Sequence, residues 1–369
     1  MRVVHANFVR PPGHADPDRL LEEWPTLLDI AAAVAKSGVG ISLVQSFARH
    51  VVVERRGVRC EFVREAALPG SWSGMTPWRT AGAARRTGAD VIHANGLDFP
   101  AHIRAMCKTG IPILVQDHAS RPCGRSTGRR WGLACVAGAA FTDVHQAAPF
   151  VAEGSLRNGV PIFSVPESST HFTPGDQAEA RAATGLYGNP ALLWVGRLDE
   201  NKDPLTILDA FELAASDLPE AHLWCCYHEH PLLDRVKMRI AGSTALSSRV
   251  HLLGRVPHER IELLCRAADI FVAASHHEGS GYALIEAVAC GATPVVSDIP
   301  PFRRLTGNIG ALARVEDAQG FADALLSVAR GPRATLRQQA LDHFAANLSF
   351  EAVGARLREI YSALARTAA

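Results

Sequence analysis

The chain has 369 residues, of which 47% are hydrophobic and 20% are charged, a composition that excludes long disordered tails and a length that predicts two domains. Its 38 lysine and arginine residues nearly balance 37 aspartate and glutamate residues, which excludes a chain-wide basic field for nucleic acid. No apolar stretch reaches the length of a membrane span or a signal peptide, so we expect a cytoplasmic protein with at most peripheral membrane contact.

Short strand-like runs alternate with helical patterns in the first half of the chain. In order they read "RVVHANF", "LLDIAAAVAKSG", "GISLVQSF", "VRCEFVRE", "ADVIHANG", "AHIRAMCKTG" and "IPILVQDH". This alternation predicts βαβ units and a parallel sheet. The same rhythm restarts at "NPALLWVGRL" and continues to "FADALLSVAR", which predicts a second sheet of the same type.

A segment rich in proline, serine and threonine, "GVPIFSVPESSTHFTPGDQ", separates the two halves and indicates a domain junction near residues 160–178. We predict an N-terminal Rossmann-like domain over 1–165, a C-terminal one over 166–348, and a final helix over 349–369 that can pack on either domain. The fold class is α/β, with two doubly wound parallel-sheet domains facing across a cleft. Ligands of such domains bind beside the carboxyl ends of the strands.

The eight cysteines form no CxxC pair, and several of them stand in apolar runs. In a protein expected to be cytoplasmic, this pattern favours buried reduced thiols over disulfides or a metal site.

The segment "IFVAASHHEGSGYALIEAVACG" predicts a strand over 270–275, a turn over 276–281 and a helix from Tyr282 to Cys290. Glycines in the turn let backbone amides approach a ligand, and the helix N-terminus favours a phosphate. Glu278 lies in the turn. Glu286 lies early in the helix, where a carboxylate can accept two hydrogen bonds from a ribose diol. The alternative is that both glutamates are ordinary solvated charges.

A second candidate segment is "LLWVGRLDENKDPLTILDAF", at the end of the first strand of the second half. Gly196 frees the backbone, Arg197 follows it, and Lys202 stands before the next helix. Two cations in one cleft would neutralise a diphosphate and stabilise it as a leaving group. Taken alone, the segment is equally compatible with a surface turn.

Three segments in order carry a family resemblance: "VGRLDENKDPLTILDAF", "VHLLGRVPHERIELLCRAADIFVAAS" and "HHEGSGYALIEAVACGATPVVSDI". They resemble the successive signatures of the retaining GT-B glycosyltransferases known as glycosyltransferase family 4, over roughly residues 189–300. The resemblance implies a donor site in which Glu278 contacts the sugar and Glu286 binds the ribose. It places Gly196, Arg197 and Lys202 at the diphosphate, the backbone of Ser280, Gly281, Tyr282 and Ala283 at phosphate and sugar, and Arg255 and Val256 beside the nucleobase.

The N-terminal half resembles the family in two strand ends. "ADVIHANG" matches the strand that ends near His93 and Asn95, and "ILVQDHAS" matches the one whose histidine, here His118, reaches the donor sugar. The resemblance thus implies His118 and Glu278 as the catalytic residues, although an isolated histidine is more often structural.

Other features of the N-terminal half depart from the family pattern or carry no assigned role. The first loop has only Gly13 where many members have a glycine-rich turn, and Glu167 with Ser168 replaces Asn-Gly in the hinge. The loop "SRPCGRSTGRRW" is basic, with Arg121, Arg125, Arg129 and Arg130; it suits an anionic acceptor, a membrane surface or plain solvation. Trp72 and Trp78 suit either sugar stacking or loop packing.

The predicted reaction, as the resemblance implies, moves a sugar from a nucleotide-diphosphate sugar to a small-molecule, glycan or lipid-linked acceptor with retention. No metal, cofactor or nucleic acid is expected. Front-side attack through an oxocarbenium-like state is favoured because the sequence reveals no carboxylate for a covalent route. Two alternatives stay open: an epimerase or phosphorylase on the same fold, and a non-catalytic module that binds sugar nucleotides.

Overall fold

Parallel strands joined by helices build both halves of the chain, as the alternating pattern predicts. The computed structural model describes residues 1–9, 16–65, 77–118, 120–124 and 126–368. They form two units, Met1–Ser168 with Phe350–Ala369 (unit 1) and Ser169–Ser349 (unit 2). Gly13, Trp72 and Arg125 lie outside the described residues.

The strands form one sheet in each unit. In unit 1 they are β1 (Arg2–Asn7), β2 (Gly40–Phe47), β3 (Val51–Arg55), β4 (Val58–Arg64), β5 (Val91–Asn95), β6 (Ile113–Gln116), β7 (Gly138–Phe141) and β8 (Ile162–Ser164), in the order β3-β4-β2-β1-β5-β6-β7-β8. In unit 2 they are β9 (Ala191–Gly196), β10 (His222–Tyr227), β11 (Val250–Gly254), β12 (Ile270–Ala273), β13 (Thr293–Ser297) and β14 (Ala311–Ala313), in the order β11-β10-β9-β12-β13-β14.

The helices of unit 1 connect its strands, and the last helix of the chain returns to it. The N-terminal helices are α1 (Pro17–Glu23), α2 (Pro25–Lys36), α3 (Trp78–Arg86), α4 (Pro100–Cys107), α5 (Thr127–Leu133) and α6 (Ala148–Ala152). Those of unit 2 are α7 (Gln177–Thr184), α8 (Pro204–Leu213), α9 (Leu233–Ala241), α10 (Thr244–Ser247), α11 (His258–Ala267), α12 (Tyr282–Ala289), α13 (Pro300–Thr306), α14 (Ala318–Ala329) and α15 (Arg333–His343). The chain ends with α16 (Phe350–Ala368).

The prediction of parallel sheets is confirmed, although the strand-like runs of the sequence did not include β3, β7, β8 or β14. β3 pairs antiparallel with β4 at the edge of the first sheet. The two residues between them, Arg56 and Gly57, both have positive φ, 51° and 74°. Positive φ at both central residues is the requirement of the hairpin turn whose twist matches the strands. The sequence did not predict this turn, because two-residue hairpin turns usually contain Asn-Gly or Asp-Gly and this one contains Arg56-Gly57.

Helices cover both faces of the first sheet because its strands are apolar on both sides. Val3 packs with α2 and α16, whereas its neighbour Val4 packs with α3, α4 and α5. The second sheet is layered in the same way, with Leu192 in the cluster of α8 and α14 and Leu193 in that of α11 and α12. Burying one such side chain contributes about 1.5–3 kcal/mol.

The C-terminal helix α16 packs within unit 1. Gly354 lies against α2 so closely that a Cβ atom there would come within 2.5 Å of the Ala33 carbonyl oxygen. Leu357, Ile360 and Tyr361 are buried in the cluster that also holds Val34 of α2. Small and apolar residues along one side of α16 therefore bring the end of the chain onto the first sheet.

The expectation of reduced thiols is wrong for one pair. Cys107 at the end of α4 and Cys135 just after α5 form a disulfide, with their Cα atoms 6.2 Å apart, a separation that disulfides span. The two residues are 28 positions apart, and only the packing of α5 on α4 brings them together. The other six cysteines are free, and five of them are buried.

Within the described part of the chain, no helix combines the length and the apolar character needed to cross a membrane.

Candidate functional site

The predicted donor-binding residues of unit 2 follow the carboxyl ends of neighbouring parallel strands. Arg197 follows β9, Arg255 follows β11, and Glu278 lies in the loop after β12. These strands lie close together in the order β11-β10-β9-β12, so their loops emerge at one edge of the sheet. This is the edge at which parallel α/β sheets bind ligands.

Asn201 joins the loop after β9 to the loop after β12. Its backbone carbonyl accepts a hydrogen bond from the His276 amide at 2.8 Å, and its side chain pairs with the backbone of His277 at 3.1 Å in both directions. Asp203 adds a contact to the His276 ring at 3.2 Å while capping α8. These residues position the neighbours of Lys202 and Glu278, yet sequence reasoning assigned no role to Asn201, Asp203 or His276.

Lys202 and Glu278 form an ion pair between these two loops. Their side chains are only 22% and 12% exposed, so the pair is largely shielded from solvent. Both residues line a narrow pocket together with Gly281 and Tyr282 at the start of α12. The two residues predicted to hold the diphosphate and the sugar therefore meet, and each compensates the charge of the other.

Arg197 is oriented differently from Lys202. Its Nε atom lies 2.9 Å from Asp199 Oδ2, and its Nη1 atom lies 3.9 Å from Glu229 Oε2. The side chain is 43% exposed, so these ion pairs are weak and exchangeable. Arg197 thus lies at the predicted edge of the sheet, but its guanidinium is paired with Asp199 and Glu229.

α12 begins at a position that only glycine fits well. Gly281 has a φ of +64°, and a Cβ atom there would lie 2.5 Å from Leu305 Cδ1. Gly281 is the N-cap residue of this helix and supplies no side-chain hydrogen bond to its first turn. The predicted positions Ser280, Tyr282 and Ala283 surround this helix start, and the predicted helix end at Cys290 and Gly291 is confirmed.

Glu286 in α12 is largely but not fully buried, with 14% of its side chain exposed, and it contacts a histidine that sequence reasoning missed. His258 Nε2 lies 2.8 Å from Glu286 Oε1, and the His258 ring packs on Phe172 with the ring centroids 4.8 Å apart. Burial raises the pKa of Glu286, and the hydrogen bond from His258 opposes that shift. No pattern in "GRVPHER" distinguishes His258, because its role depends on α11 lying beside α12.

His258 also lines an open cavity of about 550 Å³ at the end of β11. Arg255 and Val256, the residues predicted to border the nucleobase, line the same cavity. Unit 2 thus brings together one group around Lys202 and Glu278 and a second group around Glu286 and the cavity.

In unit 1, His118 lies between a strand end and the linker segment. Its Nδ1 atom is 2.6 Å from Glu167 Oε1, and its Nε2 atom is 3.2 Å from Asn95 Oδ1. The His118 side chain is 29% exposed and that of Glu167 is 13% exposed. Glu167, which departs from the Asn-Gly of the family's hinge, therefore supplies a carboxylate partner for His118.

His93 is a core residue. It is fully buried, and its Nδ1 atom lies 2.7 Å from the Tyr361 hydroxyl and 3.1 Å from His5 Nε2. Burial lowers the pKa of His93 well below its usual value, with the nearby His5 as a second cause. Only Asn95 of the predicted "HAN" strand end reaches His118.

In the basic loop, Arg129 is buried and is held by Asp98 and by the Arg121 carbonyl oxygen, the latter at 2.7 Å. Arg129 is therefore a structural residue. Among the described residues, no group of three or more histidine, cysteine or acidic side chains is arranged to hold a metal ion.

The sequence model of the family described as glycosyl transferases group 1 matches residues 189–330. GDP-mannose:cellobiosyl-diphosphopolyprenol alpha-mannosyltransferase of Xanthomonas campestris is 26% identical over 249 residues, 65% of each chain. D-inositol 3-phosphate glycosyltransferase of Mycolicibacterium gilvum (strain PYR-GCK) is 34% identical over 184 residues, 47% of this chain and 40% of the relative. The match therefore spans less than two thirds of either curated relative.

The structure of HepE from Anabaena in complex with UDP resembles this chain with a TM-score of 0.69 at 16% identity, covering 98% of this chain and 100% of the other. Sucrose-phosphate synthase from Thermosynechococcus elongatus matches with a TM-score of 0.63 at 19% identity over the whole of both chains. At these identities the likeness establishes the fold alone. The predicted GT-B type, with two Rossmann-like units, is confirmed.

Proposed function

We propose that this chain, which belongs through residues 189–330 to the glycosyl transferases group 1 family, transfers a sugar from a nucleoside-diphosphate sugar to an acceptor hydroxyl with retention. The acceptor is a small molecule or a glycan or lipid-linked group.

The pairing of Lys202 with Glu278 beside the first turn of α12 carries this proposal. An ammonium group and the positive end of a helix converge there, and both favour a phosphate. A carboxylate at the same point suits a sugar hydroxyl, which donates hydrogen bonds to it. The donor diphosphate takes over the contact to Lys202, and Glu278 then turns to the sugar.

The remaining groups of unit 2 suit the nucleoside. Glu286 accepts hydrogen bonds from the ribose hydroxyls, and the base occupies the cavity bordered by Arg255, Val256 and His258. The hydrogen bond between His258 and Glu286 orients the carboxylate before the ribose arrives.

In the reaction, the bond between the anomeric carbon and the diphosphate oxygen breaks, and the acceptor oxygen bonds to that carbon on the same face. The acceptor proton passes to the departing diphosphate. Lys202, Arg197 and the N-terminus of α12 stabilise the charge that develops on the diphosphate. His118 contacts the sugar, as the family resemblance implies.

The first test is nucleotide binding, measured by calorimetry with UDP, GDP, ADP and TDP. Lys202→Ala and Arg197→Ala should each weaken binding of the preferred diphosphate roughly tenfold or more, because a charge-assisted contact contributes about 1.5–3 kcal/mol. Lys237→Ala, which removes an exposed cation from α9, serves as the matched control. Unchanged affinity in both site variants would refute the diphosphate assignment.

The second test separates the two glutamates. Glu286→Gln should weaken binding of nucleotide and nucleotide sugar alike, because it removes a ribose contact. Glu278→Gln should retain nucleotide binding and lower turnover, because the lost charge acts on the sugar. Release of nucleoside diphosphate from the donor sugar, with and without acceptor, measures turnover. A Glu278→Gln protein with full turnover would exclude Glu278 from the reaction.

A further inference from the structure

Three neighbouring helices of unit 1, α3, α4 and α5, contain no acidic residue. Together with Lys108 at the end of α4 they carry seven cations: Arg79, Arg85, Arg86, Arg104, Lys108, Arg129 and Arg130. Arg86 is paired with Glu61, and Arg129 with Asp98. The other five still form a local excess of positive charge in a chain whose formal net charge is +1. Neither the glycosyl transfer reaction nor the donor site uses these residues.

Two exposed tryptophans lie on either side of α4 and contact its cations. Lys108 Nζ is 4.8 Å from the centre of the Trp78 ring of α3, and Arg104 Cζ is 5.5 Å from that of the Trp131 ring of α5. Arg104 and Lys108 are four residues apart and therefore lie on the same side of α4. Trp78, Lys108, Arg104 and Trp131 form one continuous row across the three helices.

The packing of α5 on α4 orients this row outward. Gly132 lies so close to Pro100 that a Cβ atom there would be 2.3 Å from Pro100 Cβ. On the adjoining side of α5, Arg129 is buried against Asp98. The contacts of Gly132 and Arg129 leave Arg130 and Trp131 on the outside, and Trp131 is 55% exposed.

Four cations of α3, α4 and α5, two of them in the row, are available to a partner. Among the described residues, no carboxylate lies within ion-pair distance of Arg85, Arg104, Lys108 or Arg130. Beside Trp78, which is 57% exposed, an open cavity of about 420 Å³ is lined by Arg64, Arg79 and Arg86. Arg86 is paired with Glu61 at 2.7 Å, so Arg64 and Arg79 are the cations that a phosphate group would meet there.

We propose that this basic aromatic face, formed by α3, α4 and α5, docks on the surface of a bilayer that contains anionic lipid. Unpaired lysine and arginine residues attract anionic headgroups, each contributing a several-fold increase in affinity. The indole rings suit the boundary between headgroups and acyl chains, where tryptophan is enriched. Double-stranded nucleic acid would engage the cations but leave the exposed indoles without an apolar partner. A single strand could stack its bases on the indoles, but the net charge of only +1 gives the chain no overall field that attracts such a polyanion.

The test is co-sedimentation of the full chain with vesicles of phosphatidylcholine alone or with 30% phosphatidylglycerol. The wild-type protein should bind the anionic vesicles and not the zwitterionic ones, and added salt should weaken the binding. Arg104→Glu with Lys108→Glu should lower the partition coefficient at least about tenfold. No donor or acceptor is present, so the result does not depend on the glycosyl transfer reaction.

The matched control is Lys36→Glu with Arg358→Glu, which makes the same charge change on exposed residues of α2 and α16, at the opposite face of the same sheet. This variant should partition like the wild type. Equal loss in both variants, or no preference for anionic vesicles, would overturn the proposal. The proposal would also be overturned if Arg104→Glu with Lys108→Glu lost binding to a single-stranded oligonucleotide but kept its binding to vesicles.

A second readout concerns the indoles. Brominated lipid in the anionic vesicles should quench part of the wild-type tryptophan fluorescence, and that part should be lost in Trp78→Phe with Trp131→Phe. Quenching that is identical in the variant would show that these rings do not reach the bilayer. Unchanged thermal melting of each variant ensures that lost binding is not lost folding.

Discussion

At the scale of single residues, the pairing of His118 with Glu167 gives a residue of the linker a role in positioning His118. Glu167 stands where the resembling family has Asn-Gly, and the sequence alone shows it only as a departure. In the folded chain its carboxylate accepts a hydrogen bond from Nδ1 of His118 at 2.6 Å, while Asn95 contacts the other nitrogen. Both contacts limit rotation of the ring, so we assign Glu167 a positioning role.

We expect Glu167→Ala to lower kcat roughly tenfold and to leave affinity for nucleoside diphosphate unchanged. The reason is that His118, which we propose contacts the donor sugar, would be misplaced without any loss at the nucleotide site. Glu167→Gln should restore most of the activity, because the amide oxygen still accepts from Nδ1. Steady-state kinetics with parallel calorimetry would decide, and an equally inactive Gln variant would show that the negative charge itself is required.

At the scale of elements, the start of α12 illustrates why the glycine-rich turn is needed. Ligand approach is the usual explanation of such glycines, but Gly281 also has a protein-internal reason. Its φ of +64° is unfavourable for other residues, and Leu305 of α13 occupies the space of a Cβ atom. The packing of α13 on α12 and the approach of a ligand therefore act on the same residue.

Gly281→Ala should lower the free energy of unfolding by about 1–3 kcal/mol and weaken nucleotide binding, because the strained backbone or the displaced Leu305 shifts the helix start. Gly185→Ala is the control, since Gly185 has a similar φ of +73° but nothing within 4 Å of its Cβ position. Urea unfolding and UDP titration of both variants measure the two effects. An equal loss of stability with normal nucleotide binding in both would assign the effect of Gly281 to backbone strain alone.

At the scale of the whole molecule, buried histidines make stability depend on pH. Burial and then the charge of His118 lower the pKa of His5 to about 3, and burial lowers the pKa of His102 to about 4. Unfolded histidine titrates near 6.5, so below that pH the unfolded chain binds more protons than the folded one. The stabilisation is complete above pH 6.5 and is lost as the pH falls toward 3.

We therefore expect the free energy of unfolding to decrease below pH 6.5, by up to about 1.4 kcal/mol per pH unit for each such histidine. His102→Leu is the informative variant, because both ring nitrogens of His102 are buried without a hydrogen-bond partner among the described residues. His102→Leu should lower by about one the number of protons taken up on unfolding, which reduces the slope of the free energy of unfolding against pH. It should also raise the free energy of unfolding at pH 7. Urea midpoints between pH 4 and 8 would test this, and identical slopes for both proteins would contradict it.

Features that depend on residues close together in the chain could be predicted from the sequence, and contacts between distant residues could not. Strand and helix alternation, the turn at 276–281 and the helix that follows are encoded by residues close together in the chain, and their predictions agree with the structure. The edge strand β3 was missed because Arg56-Gly57 is an unusual hairpin turn. The disulfide was missed because its two cysteines are brought together by helix packing.

The sequence by itself determined the class of fold and the segments that carry the candidate donor site, because periodicity, glycine positions and motif spacing are local properties of the chain. Only the tertiary structure decided which side chains meet: Lys202 with Glu278, Glu286 with His258, His118 with Glu167, and Tyr361 of the last helix with His93. The physical reason is that these contacts join residues 28 to 268 positions apart. They depend on strand order and helix packing, which many distant apolar contacts determine together and no single stretch of sequence encodes.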